Sequence, residues 1–216
     1  MELQHVNLKL LLESPDGVDL EALIPIFHDW IQDHACEEVL VDVTDYRHVD
    51  SGPGIVLIGH EANYSVDNTD GRLGVRYNRK SVLEGNNQDR LAQAARAALA
   101  ACQRLEADPR MGGTLRFNGQ DVEVLINDRL LVPNTSASRE VLDSEFRVFF
   151  NSLFREERYE LRYGDEPRQL FSVASKALHT FNISDLLNNL ASSGSHETTT
   201  KVRNSANGTK MRSKEI

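Results

Sequence analysis

EVLVDVTDYRHVDSGPGIVLIGHEANYS, residues 38–65, holds two short apolar runs on either side of a glycine–proline turn. EVLVDV and GIVLIG are rich in Val and Ile, the pattern of strands buried on at least one face, and both are expected mid-sheet. About ten residues join them, whereas a parallel crossover needs a dozen or more and usually a helix, so the two strands are read as antiparallel neighbours. SGPG is then the turn that starts the second strand. His48 and His60 fall at opposite ends of a strand of roughly seven residues, about 20 Å apart at 3.3 Å per residue. One metal ion cannot join them, which removes the otherwise tempting set of Asp42, Asp45, His48, Asp50, His60 and Glu61.

On the N-terminal side, Val6, Leu8, Leu10 and Leu12 alternate with Asn7 and Lys9, as in a strand with one face on a core. Leu20, Leu23, Phe27, Trp30 and Ile31 recur at helical spacing, with Asp19 as an expected N-cap. Pro25 is tolerated only near a first turn, so the helix is expected to start a few residues later than its apolar stripe. On the C-terminal side, ANYSVDNTDGRLGVRY reads as a hairpin whose acidic turn lacks the ligand series of a calcium loop. Leu91, Ala95, Ala98, Cys102 and Leu105 mark a second helix, whose small side chains permit close approach to a sheet. Asn118-Gly119, between two alternating runs, predicts a hairpin with a type I′ turn. Leu142, Phe146, Phe149, Phe150 and Leu153 mark a third helix, started by Ser138 or a neighbour.

This order of elements predicts an α+β protein with a mainly antiparallel sheet and helices packed on one face, a ferredoxin-like plan with an extra hairpin. Residues 1–155 are expected to form the core domain. Residues 156–190 read as a C-terminal extension with a strand-like segment and a short helix capped by Ser184. From 191 to 216 the composition turns to Ser, Thr, Asn, Gly and basic residues with no apolar period, the signature of a disordered basic tail.

The chain has 216 residues and a formal net charge of -9, which argues against a nucleic-acid binder because phosphate backbones reward clustered Lys and Arg. MELQHVNLKLLL has neither the basic start nor the long apolar stretch of a signal peptide, and no run is long enough to span a bilayer. Cys36 and Cys102 stand far apart without a CxxC, which fits reduced thiols. A cytoplasmic location, without membrane or nucleic-acid partners, is the expectation. No G-x-S-x-G elbow, Walker A loop or G-x-G-x-x-G is present, so acyl-transfer and nucleotide chemistry have no sequence support.

Antiparallel pairing does bring the His60 end of one strand near the start of the other, beside His34 and Cys36. His34, Cys36 and His60 could hold a soft metal, or Cys36 with His60 and Glu61 could form an imidazole-assisted thiolate. Against this, Glu37 and Glu38 follow the cysteine directly, and negative charge opposes thiolate formation. The aromatic side chains Phe146, Phe149, Phe150 and Tyr159 offer a different site, an association surface, provided their rings are exposed in the monomer. The sequence therefore points to a cofactor-free, non-catalytic binding or assembly module that self-associates or docks a partner protein. The alternative is a small thiol- or metal-dependent enzyme centred on Cys36 and His60.

Overall fold

Alternation in VNLKLLL makes β1 (Val6–Leu12) a strand with two chemically different faces. In the computed structural model, which describes residues 1–192, this strand lies inside an eight-stranded sheet. The other strands are β2 (Leu40–Tyr46), β3 (Gly54–Gly59), β4 (Ala62–Asp67), β5 (Gly74–Arg79), β6 (Phe117–Ile126), β7 (Tyr159–Tyr163) and β8 (Phe171–Ala177). Their order is β2-β3-β4-β5-β1-β6-β8-β7, and every pairing is antiparallel. Helices α1 (Leu23–Gln32), α2 (Asn87–Ala107), α3 (Ser136–Phe154) and α4 (183–192) pack on one face, so the chain is α+β as expected. β6 and β7, joined through α3, run in the same direction with β8 between them, the arrangement of a split βαβ unit.

The chain follows one path twice. β1 leads through α1 into the meander β2–β5, whose last strand returns beside β1. β6 leads through α3 into the shorter meander β7–β8, whose last strand returns beside β6. β1 and β6 form the seam between the two halves, with α2 as the bridge. Because β8 pairs with β6 from Asp121↔Lys176 to Ile126↔Phe171, the segment expected as an extension completes the sheet. α4 adds Ile183, Leu186 and Leu190 to the same core. Of the tail expected to be disordered, residues 191 and 192 close α4, and 193–216 lie outside the described residues.

Helix starts follow side-chain chemistry more closely than the apolar stripes. Pro25 sits in the first turn of α1, while Asp19, expected as its cap, instead accepts from the Glu21 amide at 2.9 Å. Asn86 and Asp89 close a reciprocal capping box on α2. Thr135, not Ser138, caps α3, accepting from the Ser138 amide at 3.2 Å.

Three further expectations change. Asn118-Gly119 makes no hairpin: both residues lie in the continuous strand β6, where the register with β1 jumps from Leu10↔Val122 to Leu12↔Phe117. Asn118 accepts from the Gln120 amide and donates to Asp121, so the pair forms a bulge. Gly119 is required by contact, since a Cβ there would meet the Phe181 carbonyl oxygen at 2.0 Å. β2 is an edge strand and not a central one; Val41 is half exposed, and the charges of Asp42 and Asp45 suit an edge that must not recruit a further strand. Finally, Phe146, Phe149 and Phe150 are at most 1% exposed. Phe146 stacks on Phe171 and Phe150 on Phe154, so these rings fill the core between α3 and the sheet and present no surface to a partner. Tyr159 is partly exposed, with its hydroxyl tied to Asn151 at 2.7 Å.

Candidate functional site

Asp33 caps α1, and His34 takes a left-handed φ of 50° that turns the chain back towards the sheet. The next residues run across the helix-covered face before β2 begins, which places Cys36 and Glu38 over Tyr64 of β4. Tyr64 and Tyr77 are cross-strand partners, and both phenols donate to the Glu38 carboxylate, at 2.6 and 2.7 Å. Gln93 on α2 donates to the Tyr77 oxygen at 2.9 Å. Glu38 is buried, and its partners are two phenols in place of a cation. Burial pushes both phenols above the ordinary tyrosine range, so Tyr64 and Tyr77 remain donors to the carboxylate.

Beside this cluster lies a cavity of about 350 Å³. Its α2 wall runs through Gln93, Ala97, Ala100 and Arg104, residues at helical spacing along one side, and Leu187 of α4 closes the far end. Arg96 and Arg104 stand at the rim, about 12 Å apart along the helix axis at 1.5 Å per residue. Both are exposed, and neither forms an ion pair or hydrogen bond with another described residue. The floor between them is mostly methyl groups, because alanine at 97, 100 and 101 leaves the space a larger side chain would fill.

Cys36 lines this cavity, and burial pushes its thiol up to about 11, with Glu38 and Glu37 adding to the rise and Tyr64 hydrogen bonding and the Arg104 charge opposing it. His60 is not among the groups acting on it. The expected cluster does not assemble: the His60 amide bonds to the Val39 carbonyl at 2.9 Å, and the Glu61 carboxylate accepts from the Val39 amide at 3.3 Å. His34 and His60 are solvent-facing turn residues, whereas Cys36 points towards the helices. Among the described residues, no three His, Cys, Asp or Glu side chains converge to hold a metal ion. The antiparallel argument that separated His48 from His60 holds, since Leu40↔Gly59 and Tyr46↔Gly54 fix the β2–β3 pairing.

The sequence reading missed Glu38 as a hydrogen-bonded anchor, and missed Tyr64, Tyr77 and Gln93 as its partners. Tyr64 and Tyr77 carried a usable signal: both stand on the apolar face of their hairpin, where a phenol needs a buried acceptor. No family model, no curated protein and no solved structure matches this chain. Among the described residues, no helix is long and apolar enough to cross a membrane.

Proposed function

We propose that this chain is a cytoplasmic, non-catalytic binding module that holds an amphipathic organic anion in the cavity between α2 and β4. The observation that carries the reading is the pair Arg96 and Arg104, two guanidiniums without partners among the described residues at the rim of a cavity floored by alanine. A carboxylate, sulfonate or phosphate ester at the rim would gain charge-assisted hydrogen bonds, and an apolar body would cover the alanine floor. Glu38, held by two phenols, offers a fixed acceptor for a donor on the ligand's inner end. Burial of the Cys36 thiol, which disfavours its thiolate, supports binding over chemistry. Free cysteines support the cytoplasmic location.

The test uses 8-anilinonaphthalene-1-sulfonate, a fluorescent probe with an apolar body and one anionic group. The folded protein is expected to bind it saturably at one site, and Arg96→Glu/Arg104→Glu to weaken binding at least tenfold while circular dichroism stays unchanged. Binding that does not saturate, or that ignores the charge reversal, overturns the reading.

A further inference from the structure

The cavity between α2 and β4 has a carboxylate at one end and a guanidinium at the other. Glu38 and Gln93 both bond the Tyr77 hydroxyl, at 2.7 and 2.9 Å, which fixes the carboxylate at the Gln93 end of the α2 wall. Gln103 donates to Ser184 at 3.0 Å, which seats α4 and its Leu187 at the Arg104 end. From Gln93 to Arg104 the helix axis rises about 16 Å at 1.5 Å per residue. Glu37 and Glu38 on one wall balance Arg96 and Arg104 on the other, so the charged side chains of the lining sum to zero.

The wall facing α2 is the stretch that joins α1 to β2. Its Cys36, Glu37 and Glu38 lie in no helix or strand, and their backbone amides and carbonyls bond to no other described residue. Backbone groups at partly buried positions are ordinarily paired, so these three residues form a strip of donors and acceptors open to a ligand's own amides. Across from it, Ala97, Ala100 and Ala101 present methyl groups, which leave room for small apolar side chains.

A dianion would meet both guanidiniums and be repelled by Glu37 and Glu38. A single α-amino acid carries its two charges on neighbouring groups and cannot reach both ends. An ω-amino fatty acid spans the ends but leaves the backbone strip unpaired. A peptide with free termini meets all three demands, and about four residues at 3.3 Å each span roughly 13 Å, a gap from Arg104 that an arginine side chain can close. We infer that the cavity binds a short extended peptide of small apolar residues, its ammonium on Glu38, its amides on the strip from Cys36 to Glu38 and its carboxylate on Arg104. This inference rests on the reading of the cavity as an anion site and names the molecule that carries the anion.

Tetraalanine, N-acetyl-tetraalanine, tetraalanine amide and 11-aminoundecanoate are the probes, titrated calorimetrically into the full chain. Tetraalanine is expected to saturate one site and to displace 8-anilinonaphthalene-1-sulfonate from it. Each capped peptide, which lacks one terminal charge, is expected to bind at least tenfold more weakly, as is 11-aminoundecanoate, which has both charges at a similar spacing but no amides. Glu38→Gln should weaken tetraalanine at least tenfold and leave the affinity for the sulfonate unchanged; the capped peptides ask the same question of the unaltered protein. The inference is overturned if tetraalanine does not saturate, if capping either terminus has no effect, or if 11-aminoundecanoate binds as tightly. Saturable binding of the sulfonate without tetraalanine sinks the peptide alone, whereas failure of both sinks the anion cavity with it.

Discussion

Lys9 on β1 and Asp67 at the end of β4 meet at 2.6 Å with side chains 1% and 2% exposed. The two partners are not equivalent, because Asp67 also holds Arg76 and Thr69, whereas among the described residues Lys9 bonds only to Asp67 and the Thr69 carbonyl. Removing the carboxylate strands two cations; removing the ammonium leaves the carboxylate with three donors. Asp67→Asn is therefore expected to cost roughly 3–5 kcal/mol and Lys9→Met roughly 1–3 kcal/mol in urea unfolding. Equal costs, or the reverse order, would show that Asp67 does not anchor the network.

Cys36 should behave as a packed thiol. With its thiol up at about 11, the folded protein is expected to react with iodoacetamide at pH 7.5 about 100-fold more slowly than free cysteine. His60→Ala should leave that rate alone, as read by mass spectrometry. Rapid labelling that depends on His60 would bring back the thiol-enzyme reading.

Alkali should weaken the fold. Cys36, Tyr64 and Tyr77 all have their proton affinities raised by burial, so the native state keeps protons that the unfolded chain releases. The Cys36 contribution is complete below about pH 8.5 and is lost as pH rises towards 11, while that of the two tyrosines begins to fall only above about pH 10. Lys9 acts in the opposite direction: burial lowers its affinity for a proton, so alkali relieves a cost there. Burial raises the proton affinities of Cys102, Tyr159 and Tyr163 as well, so six groups act against Lys9 and give a net fall in melting temperature between pH 8 and pH 11. Cys36→Ala should flatten that fall by up to about 2 kcal/mol, and an unchanged slope would remove Cys36 from the account.

Gly119→Ala tests the bulge in β6. A methyl group there runs into the Phe181 carbonyl, not into a turn, so the expected cost is roughly 1–3 kcal/mol from displaced packing of the segment before α4. If Asn118-Gly119 were a reverse turn, Asn118→Ala would be the more damaging change.

The antiparallel β2–β3 pair, the hairpin that follows and the three longer helices were legible because their apolar periods are local and their linkers short. The β6 bulge was not, because Asn-Gly satisfies a type I′ turn by local chemistry and only the distant Phe181 and the partner strand β1 decide otherwise. β2 was misplaced for a similar reason: VLVDV has the composition of a central strand, and its edge position depends on where the meander begins. The phenylalanines of α3 cover more than one helical stripe, which reads as a surface until β7 and β8 supply the rings that enclose them. Lys9 looked like an ordinary outward residue of an amphipathic strand. Its burial depends on Asp67, Arg76 and Asn7 gathering from three strands, a coincidence that no single stretch of sequence contains.

The doubled path has a kinetic consequence. Every strand of the β2–β5 meander finds a partner through a short turn, but β1 pairs Asn7 with Asn78 and Val6 with Ile126, so neither of its edges is filled by a sequence neighbour. Closing such long loops is entropically slow, and topology of this kind lowers folding rates. During that interval an apolar strand with open hydrogen-bonding groups is exposed to other chains. The seam between β1 and β6 is thus the step at which folding competes with aggregation, and substitutions there should reduce the yield of folded protein more than their equilibrium cost implies.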